Sequence, residues 1–450
     1  MLSSSEIDTL VSSETGEIDR KIFSSQEIFD LEMEQIFGRA WLFLCHESQI
    51  KKPGDFFEAP MGRDNVLVVR QRDGSIKAML NTCMHRGNAV CRAEEGNARN
   101  FMCTYHGWTY GLDGELMGVP GLEKFYSGDL DRSKYGLRQV AQLDSYEGFV
   151  FATLDPTAPP LYDFLGETGR LGIHLIAAQG EMEVVPGIQK FVIDCNWKFT
   201  VDNLFDWYHP QITHISAFET PVLAPQDSAL ADASLADAAN VLTPEGADLG
   251  VEWQRSFIES LIVLGEYGHA IGGPSTAGVG PTVPMKWRET EKAKKMLPGV
   301  AANVAGHPNI FPTMWITQTV QVSLRVPRTP TTTEIWWFSF RDANADPEQG
   351  AAQLAMQNHV FGPAGLLEQE DGENWAQSTM TAIGGAQESV PQLLKMNLGR
   401  GKIIHQDGLA RIEGNINEHG QMWTYLAWKA WLSGASWDEL KQVTTPGDIL

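Results

Sequence analysis

Hydrophobic residues along the chain change their spacing at two places, and each change predicts a change of element. Between Ser24 and Phe37, Ile28, Leu31, Ile36 and Phe37 recur among acidic residues at helical spacing, which predicts an amphipathic helix of about three or four turns. From Trp41 to about Asp155 the pattern becomes short β-like runs broken by turn residues. Val66 to Gln71, the turn Arg72-Asp73-Gly74-Ser75 and Ile76 to Leu80 read as a hairpin; Gly111-Leu112-Asp113-Gly114 and the run Phe149 to Leu154 repeat the theme. Beyond Pro156 strand-like runs (Phe191 to Cys195, Thr319 to Val326, Ile335 to Phe340) mix with helical stretches, and Ser436-Trp437-Asp438-Glu439 is a capping-box pattern that starts a last helix.

The expected architecture is α+β: a small all-β domain and a larger domain with an antiparallel sheet flanked by helices. The boundaries read as a helical segment 1–40 packing with the larger domain, an all-β domain 41–156, and the remainder 157–450. Pro221 to Gly250 is acidic and rich in Ala and Ser, compatible with a surface helix or a lid.

Composition narrows the function classes. With 57 Asp and Glu against 34 Lys and Arg the formal charge is −23, which disfavours nucleic acid and anionic membranes as partners. No run reaches the roughly 18 to 20 apolar residues of a membrane helix, and the polar, acidic start lacks a signal-peptide pattern, so a cytoplasmic protein is expected. Five cysteines, an odd number in 450 residues, point away from a disulfide framework and toward buried thiols or metal ligands.

Two of these cysteines lie in a distinctive arrangement. Cys83-Met84-His85 and Cys103-Thr104-Tyr105-His106 supply one thiol and one imidazole each from two short loops. That is the ligand set of a Rieske [2Fe–2S] centre, in which two His replace two Cys on one iron; Cys83 and Cys103 would hold one iron, His85 and His106 the other. A Cys₂His₂ zinc site is the alternative, although zinc ligands usually come with like residues paired.

A second constellation follows at Asp202-Asn203-Leu204-Phe205-Asp206-Trp207-Tyr208-His209-Pro210-Gln211-Ile212-Thr213-His214. At about 100° per residue, Asp202, Asp206 and His209 share one helical face, whereas His214 falls about 140° from His209. Pro210 is expected to distort the turn so that both imidazoles converge. Two His with one carboxylate form a facial triad for Fe(II), and the residues alone leave the carboxylate open among Asp202, Asp206, Glu368, Glu370 and Asp371.

The segments Cys83-Met84-His85-Arg86-Gly87 and Cys103-Thr104-Tyr105-His106-Gly107-Trp108, with the His209/His214 segment and Phe361-Gly362-Pro363-Ala364-Gly365, resemble the large (α) subunits of Rieske non-heme iron aromatic-ring-hydroxylating dioxygenases over nearly the whole chain. The resemblance implies a [2Fe–2S] cluster and a mononuclear Fe(II) held by His209, His214 and Asp371. It gives Asp206 the role of joining an iron histidine to a Rieske histidine of a neighbouring subunit, and places Asn203 near the open coordination side. Leu204, Phe205, Trp207, Phe218, Asn309, Phe361 and Leu367 would line the substrate cavity. Lacking Lys and Arg, that set favours an apolar aromatic ring, cis-dihydroxylated with O₂; an aromatic acid substrate, or a monooxygenase or demethylase, is the alternative. The resemblance further implies trimers of large subunits, α3β3 with a small β subunit or α3 without. Electrons would arrive from a ferredoxin or reductase and ultimately from NAD(P)H, since no nucleotide fingerprint is present. An acidic donor would need a local basic patch, for which Arg86, Arg92 and Arg99 are candidates.

Overall fold

The computed structural model describes residues 2–218, 259–279, 285–387, 389–414 and 416–450; the acidic 221–250 segment and the Phe218 side chain lie outside them. The chain divides into two compact units, one of residues 37–161 and one of residues 1–36 with 162–450. No helix among the described residues is long and apolar enough to cross a membrane.

The 37–161 unit is built from short antiparallel strands. Asp64–Arg70 pairs on one side with Ile76–Leu80, across the hairpin legible in the sequence, and on the other with Asp55–Met61, which pairs with Glu95–Asn97. Leu42–His46, Phe149–Thr153 and Gln142–Tyr146 form a second sheet. A third joins Phe101–Met102, Thr109–Tyr110 and Leu116–Gly118. Cys83, Cys103, Trp108 and Tyr110 are buried in one core cluster with Phe56, Leu67, Val69 and Met79, so the cysteine loops are anchored in the unit's own core.

The other unit centres on a ten-stranded antiparallel sheet. From one edge the strands run Met182–Val184, Thr332–Asp342, Gln321–Thr329, Met314–Ile316, His307–Ile310, Ala270–Pro274, Ser260–Leu264, Leu409–Glu413 and Ile404–Gln406, with Gln189–Ile193 also on Thr332–Asp342. Five helices matter for the site: α1 (Gln26–Gln35), α2 (Trp197–Asp202), α3 (Pro210–Thr213), α4 (Leu366–Ile383) and α5 (His419–Leu432). Ser25 caps α1 by accepting from the Ile28 N–H at 3.3 Å, which explains a helix start two residues inside the predicted segment. The Ser436/Glu439 capping box forms and opens the helix Trp437–Val443.

A buried polar knot ties α1, α2 and α5 together. Glu32 accepts from Trp197 Nε1 at 2.9 Å, Lys198 Nζ at 2.6 Å and Trp428 Nε1 at 2.8 Å. Its carboxylate is fully enclosed and Lys198 nearly so, and the rings of Phe23, Trp197 and Trp428 surround the ammonium group. A buried charge of this kind persists only when paired and hydrogen-bonded.

Candidate metal centres

The two cysteine loops share one backbone design. Cys83 N donates to Asn88 O and Gly87 N to Cys83 O, at 2.8 and 2.9 Å; Cys103 N donates to Trp108 O and Gly107 N to Cys103 O at the same two distances. Each loop closes through a left-handed glycine, Gly87 at φ 73° and Gly107 at φ 74°, where a side chain would be strained. A Cβ on Gly107 would also meet Pro120 Cγ at 2.9 Å. The loops thereby sink both thiols and hold the imidazoles outward: Cys83 and Cys103 are buried, His85 is half-buried and His106 exposed. The His85 and His106 ring centroids are 4.6 Å apart, and His85 stacks on Trp108 at 5.0 Å.

These donors suit a two-iron cluster better than one zinc. Four donors on one tetrahedral ion would lie within about 4 Å of one another. Among the described residues, a converging set of three or more such donors is found only for His209, His214 and Asp371. Like donors instead sit side by side, and the His85 Nδ1 is buried without a hydrogen-bond partner, as a nitrogen awaiting a metal would be. The thiol side is dressed for charge: Tyr110 Oη accepts from Met84 N at 3.0 Å and lies 3.3 Å from Cys83 Sγ, while Asn88 Nδ2 donates to Cys103 Sγ at 3.6 Å. Burial opposes ionisation of Cys103, but hydrogen bonds from the Tyr105 backbone and the Asn88 amide outweigh it and hold the thiol below its ordinary range. Arg86 lies over the exposed Tyr105 ring at 5.0 Å. Arg92 and Arg99 are exposed as well, with Glu94 and Glu95 between them in the chain.

The second centre departs from the helical reading of its sequence. Residues 202–214 do not form one distorted helix: α2 ends at Asp202, Asn203–Phe205 makes a single 3₁₀ turn, and Asp206 leaves helical geometry at φ −90°, ψ 89°. Pro210 does not bend a helix but starts α3 at its first position, where a missing N–H costs nothing. The break thus falls before the proline, and it lets residues five apart face one point. His209 Nε2 and His214 Nε2 are 3.2 Å apart, and Asp371 Oδ1, on α4, lies 3.4 and 3.3 Å from them. Three donors at right angles on an octahedral ion with bonds of about 2.1 Å would stand about 3.0 Å apart, so the triangle needs almost no adjustment to hold one.

Electrostatics agree with that fit. Burial works against charge on His209, yet Asp206 and Asp371 outweigh it and lift its imidazolium to about 10. Burial also opposes the Asp371 carboxylate, but His209 and His214 bring it down to about 2. A field that holds an extra proton among these groups is one that a divalent cation can replace, with proton release.

Further groups orient the triangle. Glu370 Oε2 lies 2.9 Å from His214 Nδ1 and is itself held by the Ser216 hydroxyl, so a residue considered as an iron ligand from sequence instead fixes the His214 ring. Asn203 Nδ2 donates to Asp371 Oδ2 at 3.2 Å, leaving Oδ1 toward the imidazoles. Asp206 Oδ1 accepts from the Tyr208 and His209 N–H groups and lies 3.5 Å from His209 Nδ1, a buried nitrogen with no hydrogen bond. Glu368 turns away to Arg325.

Asp202 takes a different part. Burial, with repulsion from Asp206 and Glu418, lifts its carboxyl to about 8 against the hydrogen bond donated by Tyr425 Oη. A carboxyl ionising near 8 when folded and near 4 when unfolded binds more protons in the folded chain throughout that window, so its contribution to stability falls as pH rises through it. Asp202→Asn should flatten this slope: denaturation midpoints at pH 5 and pH 8 should differ less in the variant than in the parent.

The elements that carry the triangle also enter an apolar cluster: Leu204 and Phe205 directly follow Asn203, and Leu367 stands four residues before Asp371 on α4. Leu204, Phe205 and Phe361 are buried in it with Trp315, Trp337 and Trp423, and Leu367 packs against it. Asn309 is buried on the strand His307–Ile310 and is registered with Trp315, which is registered with Ser323 and that with Trp337, so these side chains share one sheet face. Trp207 is half-buried; its indole N–H donates to Leu204 O at 3.1 Å and its ring lies 5.1 Å from that of His307. His307, outside the set of expected cavity residues, contacts Trp207, Trp315 and Phe361, and burial pushes its imidazolium down to about 3, leaving a neutral ring. Its alternation with Asn309 along one strand is the signal that could have found it. His269 is a core residue bonded to Phe164 O and Phe311 N.

A β-unit whose paired Cys/His loops suit a [2Fe–2S] cluster, together with a sheet-and-helix unit bearing two His and one Asp, defines a two-centre iron oxidoreductase. The Rieske [2Fe-2S] domain family matches residues 40–145 and the ring hydroxylating alpha subunit (catalytic domain) family residues 178–381. The chain is 34% identical to the biphenyl 2,3-dioxygenase subunit alpha of Rhodococcus jostii (strain RHA1), over 97% of this chain and 93% of that one. It is also 34% identical to a benzene 1,2-dioxygenase subunit alpha of Pseudomonas putida, over 97% and 96%. Naphthalene 1,2-dioxygenase solved with indole in its active site superposes with a TM-score of 0.82 at 30% identity, covering 97% of this chain and 96% of that one. The chain therefore belongs to the ring-hydroxylating dioxygenase α-subunit family, the terminal oxygenase subunits that carry a Rieske [2Fe–2S] cluster and a mononuclear non-heme iron.

Proposed function

We propose that this chain is the oxygenase component that cis-dihydroxylates an uncharged aromatic ring, with Cys83, Cys103, His85 and His106 holding the cluster and His209, His214 and Asp371 holding the iron. The observation that carries the reading is the His209–His214–Asp371 triangle on elements that also enter an apolar, tryptophan-rich cluster. When bound, the cluster supplies single electrons and the iron activates O₂. The protein's own part is positional: Glu370 holds the His214 ring, Asn203 holds one oxygen of Asp371, and Leu204, Phe205, Phe361 and Leu367 keep water from the ring face. Asp206, beside His209 and still partly exposed, is the carboxylate for an electron route to the cluster of a neighbouring subunit. Membership of the α-subunit family supports the rest of the reading: trimers, with or without a small β subunit, and a ferredoxin or reductase donor fed by NAD(P)H, in the cytoplasm.

The polarity of the lining supports a neutral substrate. Arg325 lies against Trp315 and Trp337 but is paired with Glu368 and wholly buried, so it offers no counter-charge to a substrate carboxylate. The relatives named for biphenyl, benzene and naphthalene point to the same class. With a surrogate ferredoxin and reductase under ¹⁸O₂, a neutral arene should yield a dihydrodiol carrying two labelled oxygens. Benzoate should turn over at least about 100-fold more slowly, since an unpaired buried carboxylate costs several kcal/mol. A single labelled oxygen would make the enzyme a monooxygenase, and faster turnover of the acid would reverse the substrate class.

A further inference from the structure

Glu368, Asp371 and Trp375 stand at positions i, i+3 and i+7 of α4, all buried. At about 100° per residue they fall within about 60° of one another, so one helical face carries the carboxylate of the metal triangle with a charged group one turn before it and an indole one turn after. Both flanking groups meet the same side chain. Arg325, on the strand Gln321–Thr329, pairs its Nη1 with Glu368 Oε1 at 2.6 Å, and its guanidinium carbon lies 5.4 Å from the Trp375 ring centroid. Trp315 and Trp337, on neighbouring strands, wall the guanidinium at 4.6 and 5.2 Å.

The pair is hard to explain by stability alone. Arg325 and Glu368 are both 0% exposed, and Arg325 Nη1 to Glu368 Oε1 at 2.6 Å is the direct hydrogen bond between them, with the Trp337 side chain against Glu368. Desolvating two charges to form one buried ion pair is an arrangement that apolar side chains of similar volume usually match in stability. What apolar side chains would not match is direction, because a planar guanidinium held by three indoles and one carboxylate has a single seating. Direction matters here: a roll of α4 by about 20° would carry a side-chain oxygen some 6 Å from the axis through about 2 Å. Metal ligands must be held within about 0.5 Å.

We propose that Arg325 is a positioning residue for the mononuclear metal: by gripping Glu368 and Trp375 it fixes the two turns of α4 on either side of Asp371 and so sets where the Asp371 carboxylate meets His209 and His214. The inference rests on the reading of Asp371 as a metal ligand. Replacement of supporting groups around metal ligands commonly weakens binding by about 10- to 100-fold.

The test uses the full chain with its [2Fe–2S] cluster retained and the mononuclear metal removed, titrated with Co(II) and followed by the cobalt visible spectrum and by melting temperature. The double variant R325M/E368M replaces the ion pair by apolar side chains. It should melt near the parent while binding Co(II) at least about tenfold more weakly, with an altered cobalt spectrum. Parental affinity and spectrum in the double variant would overturn the proposal, because a purely structural pair is restored once stability is. If the double variant does not fold, R325K, which keeps the charge but not the planar stack on Trp375, is read in the same titration: weakening of about fivefold or more supports the proposal, and parental affinity overturns it. Asp371→Ala separates the two readings. Parental cobalt binding in that variant removes Asp371 as a ligand, whereas loss of binding there beside parental binding in the Arg325 variants removes only the positioning role.

Discussion

Asp371→Ala should yield a chain with an intact [2Fe–2S] visible spectrum whose total iron falls from about three to about two atoms, and whose arene oxidation falls to background. The reasoning is local. Asp371 Oδ1 is the only oxygen of the triangle and lies within 3.4 Å of both imidazole nitrogens. Removing it leaves two neutral nitrogen donors, which hold Fe(II) weakly, and strips the charge that the two imidazoles stabilise. The cluster serves as an internal reference, since Cys83, His85, Cys103 and His106 lie in the other compact unit. Iron and acid-labile sulfide analysis, read against the cluster absorbance, checks the result; three irons per chain in the variant would mean that another carboxylate completes the site.

Glu32→Ala should strongly destabilise the unit that carries the triangle. It withdraws the one acceptor shared by Trp197 Nε1, Lys198 Nζ and Trp428 Nε1, all buried. Lys198 is then left without its counter-ion; burial already pulls its ammonium below the usual lysine range, and Glu32 is the main group opposing that. Breaking a buried pair by removing one partner costs about 3–5 kcal/mol. That corresponds to a fall in melting temperature on the order of 10 °C for a unit of this size. Glu32→Gln, which keeps one carbonyl acceptor, should lose less. The loss has a functional reach, because Trp197 and Lys198 open α2, which leads directly into Asp202, Asn203 and Leu204. Thermal unfolding of the three proteins measures it, and an unshifted transition in Glu32→Ala would show that the knot does not hold α1 to the unit.

Much of this was legible along the chain because local chemistry wrote it there. The hairpin through Arg72 to Ser75 and the Ser436 capping box depend on groups a few residues apart, so their signals survive in sequence. The mixed Cys/His loops are equally local, each closing on its own glycine. The path from Asp202 to His214 was legible only in part. Spacing shows that two histidines five apart cannot share a face of a regular helix, but it pointed to Pro210 as the cause, whereas the chain turns at Asp206, where hydrogen bonds to the Tyr208 and His209 N–H groups hold a non-helical corner. Proline marked the start of the next turn.

The sequence alone determined the donor chemistry: which thiols, imidazoles and amides are available, on which short loops, and hence which kinds of metal centre they can form. Ligand type and spacing within a loop are properties of neighbouring residues. The tertiary structure decided how five nearby acids divide their work. Asp371 closes the triangle, Glu370 holds His214, Glu368 pairs with Arg325, Asp202 stays with Tyr425, and Asp206 guards the corner at His209. Asp371 and its histidine partners are separated by more than 150 residues, as are Glu32 and Lys198. Pairings at that distance are set by which strand and helix faces meet in the packed core, and no local pattern of residues encodes them.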